Sequence, residues 1–121
     1  MRIERRIRRS DDPMTALHYQ LAFARKEADL EAIVLADSSG CLVAGAGSWP
    51  VCEELAAYAP LLASGTIHND ASRVATLAEE TEAHAFSIGG AEVILCARGN
   101  AQTELMERVA AGCRRILGAA A

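Results

Sequence analysis

A chain of 121 residues has room for one domain but not two, and burying roughly two-thirds of its extended surface gives that domain a real core without disulfide staples. Apolar residues make up 51% of it and aromatic residues only 4%, so the core must be aliphatic and rich in alanine. The net charge of −4 divides unevenly: residues 1–9 carry five arginines against Glu4, or +4, and residues 10–121 carry seven basic against fifteen acidic groups, or −8.

Residues 1–9 form a basic N-terminal segment whose simplest reading is a solvated, flexible end, with nucleic acid not expected as a partner. The segment lacks the apolar stretch of a signal peptide, and no run is apolar enough to cross a bilayer, so a cytoplasmic location is expected. A single domain is expected over 10–118, with the alanines of 119–121 as a frayed tail.

The first helix begins at Ser10-Asp11-Asp12-Pro13, where Asp12 can cap an orphan amide and Pro13 fits the first helical turn. Leu17, Leu21, Ala24 and Ala28 then recur at helical spacing. Ala32 to Ala36 is a short apolar run, read as a strand covered on both faces. Asp37-Ser38-Ser39-Gly40 supplies a turn, and Cys41 to Ala46 returns as the second arm of a hairpin. Pro50 opens a middle helix lined by Cys52, Leu55, Ala59 and Leu62 and loosened at Pro60, which cannot donate to Ala56; Gly65 ends it. Thr66 to Ala71 reads as a loop, and Ser72 to Ala83 has helical propensity over a thin apolar stripe. His84 to Ile88, Gly89-Gly90 and Ala91 to Ala97 make a second hairpin. Asn100 is placed to cap a last helix built on Leu105, Val109, Gly112 or Cys113, and Ile116.

Residues that could carry chemistry are scattered. Cys41, Cys52, Cys96 and Cys113 form no C-x-x-C pair, and each sits in an apolar stretch as a small buried hydrophobe would. His18, His68 and His84 have no partner at metal-ligand spacing, so no metal is expected. Gly45-Ala46-Gly47-Ser48-Trp49-Pro50 has the position of a dinucleotide loop, but Pro50 replaces its third glycine and its strand belongs to a hairpin. Neither a catalytic residue nor a cofactor site emerges, and the chain reads as a non-enzyme. Trp49, beside Pro50 in a glycine-rich loop, and Tyr58 are residue types enriched in binding hot spots, with Trp49 the candidate partner anchor.

Three stretches resemble the roadblock/dynein light chain family in its bacterial form. They are Ile33 to Ala44, Glu54 to Ala63 with its Pro60, and Gly89 to Cys96, in an order that covers about residues 14–117. The resemblance implies an α/β fold of the α+β type, a five-stranded antiparallel sheet with the first and last helices on one face and the middle helix on the other. It further implies that the segment near Arg73 to Glu79 is the third strand, against its local propensity. Homodimers would then form through the middle helix and that strand, using Leu55, Tyr58, Ala59, Leu62, Val74, Ala75, Thr76 and Leu77. The implied function is that of a homodimeric regulator or scaffold for a small Ras-like GTPase or a signalling or motility complex. Two alternatives stand beside it. One is a small-molecule sensor domain; the other is an adaptor that touches membrane or nucleic acid through its basic head.

Overall fold

The computed structural model describes residues 12–65 and 73–120; the basic segment 1–9, the loop expected over 66–71 and Ala121 lie outside the described residues. Helix α1 spans Pro13–Ala28. Its start is set by the Asp12 carboxylate, which accepts from the Thr15 amide at 3.2 Å and from the Thr15 hydroxyl. Asp29 closes it in the left-handed conformation, donating its amide to the carbonyls of Arg25 and Lys26. Leu17, Leu21 and Ala24 form its buried stripe.

Strands β1 (Ala32–Asp37) and β2 (Leu42–Ala46) pair antiparallel, with Leu35 opposite Ala44 and an irregularity between Leu35 and Ala36. The Asp37 carboxylate organises their turn by accepting from the amides of Ser39 at 2.9 Å and Cys41 at 3.0 Å. Helix α2 spans Trp49–Ser64 and runs through Pro60. After helix α3 (Arg73–Glu80) come strands β3 (Thr81–Ile88) and β4 (Ala91–Arg98), joined by Gly89 and Gly90, both at positive φ. Helix α4 spans Thr103–Ala120.

Among the described residues the sheet has four strands in the order β2-β1-β4-β3, all neighbours antiparallel. The expected five-stranded sheet is corrected on this point: Arg73–Glu80 is a helix, not a third strand. Local propensity prevails over the resemblance here, because the helical form already buries Leu77 completely beneath α2. Two smaller corrections have equally local causes. Asn100 is not the cap of α4, whose first turn bonds Met106 back to Gln102. Cys41 lies in the exposed hairpin turn, while Cys52, Cys96 and Cys113 are buried.

Strands β1 and β4 are buried on both faces and divide the interior into two cores. On one side Ile33, Leu35 and Leu95 meet Leu17 and Leu21 of α1 and Met106 and Val109 of α4. On the other, Ala32, Val34, Ala36, Ile94 and Cys96 meet Cys52, Leu55, Ala56 and Ala59 of α2 and Leu77 of α3. The first and last helices therefore share a face and the middle helix covers the other, as expected.

Candidate functional site

Helix α2 carries most of the residues singled out from sequence. Its inward stripe, Cys52, Leu55, Ala56 and Ala59, is buried against the sheet. Trp49, Glu53, Ala57 and Leu61 recur every four residues on the opposite side and are exposed, Trp49 by 59% and Leu61 by 44%. Tyr58 and Leu62 lie half-buried between these stripes, packed on the same cluster that holds Leu77. Of the residues expected at a dimer interface, Leu55, Ala59 and Leu77 are thus interior to the protomer. Tyr58, Leu62 and Ala75 are half-buried and Thr76 is exposed, while the Val74 side chain lies outside the described residues.

Beside this helix runs a sheet edge. Strand β3 pairs with β4 alone among the described strands, so its outer backbone groups are open to another strand. The hydroxyl of Thr81, at the α3–β3 junction, is buried without a partner among the described residues. Arg98 braces the same end of the sheet, 2.8 Å from Glu80 of α3 and 3.2 Å from Glu31 ahead of β1. Edge strand and exposed helix stripe together form a surface suited to protein contact.

The remaining candidates serve packing. A side-chain carbon on Gly45 would come within 3.2 Å of both the Cys52 sulfur and Val34, and one on Gly47 within 2.8 Å of the Glu31 carbonyl, so these glycines permit close approach within the hairpin rather than cradle a phosphate. His18 contacts the Gly45 carbonyl through Nδ1 at 3.2 Å. His84 stacks obliquely on Phe86, itself covered by the Arg114 guanidinium 5.1 Å from the ring centre. Burial pushes the thiol of Cys96 up to about 12 and that of Cys113 up to about 11, which keeps both protonated and unreactive at neutral pH. Among the described residues no three His, Cys, Asp or Glu side chains converge as a metal site would require. No helix there is long and apolar enough to cross a membrane.

Sequence reasoning missed one feature. Tyr19 and Phe23 stand on α1 outside its core stripe and are 74% and 70% exposed. Their i, i+4 spacing off the Leu17–Leu21 face was the available signal.

An antiparallel sheet with the first and last helices on one face and α2 and α3 on the other defines an α+β sandwich. No protein-family model matches the chain, and no curated protein matches it in sequence. Solved structures do. MglB of Myxococcus xanthus is 16% identical, with a TM-score of 0.52 over 87% of this chain and 86% of that one. An MglB with a tetrameric arrangement is 16% identical, with a TM-score of 0.61 over 90% and 93%. The gliding protein MglB of Thermus thermophilus is 17% identical, with a TM-score of 0.57 over 86% and 90%. At such identities the likeness is one of fold.

Proposed function

We propose that this chain is a non-catalytic, cytoplasmic regulator or scaffold that works as a homodimer on a small Ras-like GTPase. The fold likeness to MglB, one of whose structures is described as a gliding protein and another as tetrameric, supports this reading. So does the resemblance of residues 33–44, 54–63 and 89–96 to bacterial roadblock proteins. The observations that carry it are the open edge of β3 and the exposed stripe of α2 with its Trp49 and Leu61. In the dimer Tyr58, Leu62, Ala75 and Thr76 supply contact at the surface, Val74 belongs to the same segment, and Leu55, Ala59 and Leu77 fix the two helices from beneath. Trp49, at the far end of α2, anchors the GTPase.

Sedimentation at micromolar concentration tests the dimer, and twice the monomer mass is expected. A small Ras-like GTPase from the same cell, loaded with GTP or GDP, tests the partner. Binding should favour one nucleotide state and fall by about tenfold or more in Trp49→Ala, the loss typical of an aromatic hot spot. A monomer, or a GTPase ignored in both states, overturns the proposal.

A further inference from the structure

The side of α1 turned away from the sheet carries a pattern of its own. Tyr19 and Lys26 are seven residues apart, which falls only about 20° short of two helical turns, so they lie on one line along the helix. The Asp12 cap, seven residues before Tyr19, extends that line at its start. Phe23 stands one turn beyond Tyr19, next to the line. The two rings are 74% and 70% exposed, in a chain with five aromatic residues in all. They wall a shallow groove of about 440 Å³ whose lining also includes Ala16 and Gln20 of α1 and Ile116 of α4.

The line is acidic at one end, aromatic in the middle and basic at the other. The layer around it carries no net charge: Arg25, Lys26, Arg108, Arg114 and Arg115 of α1 and α4 balance Glu27, Glu104 and Glu107 together with the caps Asp12 and Asp29. Such a surface offers no field to a polyanion and does not repel a copy of itself.

We propose that this line docks a second copy of the chain, the two α1 helices lying antiparallel about a two-fold axis at Tyr19. A two-fold contact pairs a patch with itself, so the patch must match its own reverse. Asp12 and Lys26 each lie about 10 Å from Tyr19 along the helix, so the axis sets Asp12 of each copy against Lys26 of the other. A parallel pairing would set like charge on like. The same axis brings Tyr19 against its mate and Phe23 over the small side chain of Ala16, at the groove. At about 200 Å² per aromatic side chain, the four rings remove on the order of 550 Å² from water, over half of the roughly 1,000 Å² that a specific interface needs. Thr15, Ala16 and Ala22 add contact beside them, and the whole has the size of a weak, concentration-dependent association. Helix α1 packs on the opposite side of the sheet from α2, so this contact is separate from the α2–β3 dimer and forms with or without it.

Sedimentation equilibrium of the full chain from micromolar to near-millimolar concentration tests the assignment. The mass should double on concentrating, from dimer to tetramer if the α2–β3 contact forms and from monomer to dimer if it does not, so the two proposals fail separately. The double variant Y19S/F23S should keep its low-concentration mass throughout, with an unchanged circular dichroism spectrum because both rings are exposed. The direction of pairing is read by disulfide trapping in a Cys41→Ser background, which removes the exposed thiol. Tyr19→Cys, with Phe23 retained, should join two copies under mild oxidation. Lys26→Cys should not, since the antiparallel pair holds it about 21 Å from its mate along the helix. A mass that does not double, a doubling that survives in Y19S/F23S, or a disulfide at position 26 rather than 19 each overturns the proposal. So does ring-dependent pelleting with phosphatidylcholine vesicles in place of the doubling, which would give the rings to a membrane.

Discussion

The two sides of the sheet are built from the same strands to different specifications. Toward α1 and α4 the strands present Ile33, Leu35, Val93 and Leu95, met by leucine, methionine and valine. Toward α2 they present Ala32, Val34, Ala36, Ile94 and Cys96, met by Cys52, Ala56 and Ala59 around Leu55 and by Leu77 of α3. Large side chains give one side its buried area, and small ones let the backbone of α2 lie close to the sheet. The hairpin turn shows how close. A side-chain carbon on Gly40 would sit 3.2 Å from the Ala57 carbonyl and 3.4 Å from that of Ala56, the carbonyl that Pro60 deprives of its helical donor. One side is therefore a reservoir of stability and the other a device for placing a helix.

The sharpest way to break this comparison is within β1 itself, where adjacent residues face opposite sides. Leu35→Ala should cost about 3 to 4 kcal/mol and Val34→Ala about 2, read from urea unfolding. Equal costs would mean that the two cores carry the same load. Alkaline pH tests both cores next, because Cys113 lies in the large one and Cys96 in the small one. Burial holds their folded values at about 11 and about 12, above the ordinary 9.0. Stability is intact below that ordinary value and falls as pH rises through it, since the unfolded chain ionises thiols that the folded one keeps protonated. By pH 10 the loss should be about 1 kcal/mol per thiol, so roughly 2 to 3 kcal/mol for the pair. Unfolding at pH 8 and pH 10 should show Cys96→Ala and Cys113→Ala each losing about 1 kcal/mol less than the parent chain; a parent-like loss in both contradicts the assignment.

Much of this architecture was legible, and the reason is local chemistry. Asp12 caps, Asp37 to Gly40 turns, and Gly89-Gly90 closes a hairpin because each residue type suits its backbone regardless of what packs around it. The arrangement of helices about the sheet came from family resemblance, which also misled: it made a strand of Arg73–Glu80, where alanine, leucine and glutamate favour a helix that buries Leu77. The site was harder to read for a different reason. Helical periodicity picks out Leu55 and Ala59 as an apolar face, but the same period marks a stripe buried in its own protomer and one buried by a partner. What remains for a partner is the complementary stripe from Trp49 to Leu61 and the edge of β3, and an open edge depends on strand order, which no short motif encodes. Tyr19 and Phe23 escaped notice because their spacing marks them only as lying off the core stripe, while the exposure of a large ring is decided by which neighbours reach it.

The smallest expected effect separates close packing from backbone strain on the α2 side. Gly40 has φ +88°, so Gly40→Ala should cost about 1 to 2 kcal/mol from left-handed strain alone. Asparagine tolerates that conformation far better, and at Gly89, where φ is +57° and nothing lies within 4 Å, Gly89→Asn should change stability by no more than about 0.5 kcal/mol. At Gly40 the same replacement still drives a carbon against the Ala56 and Ala57 carbonyls. Gly40→Asn should therefore cost less than Gly40→Ala but still about 1 kcal/mol, because relief of strain leaves the contact in place. If thermal melts show Gly40→Asn as benign as Gly89→Asn, then α2 can retreat from the turn, and the fine placement attributed to the small-residue core does not hold.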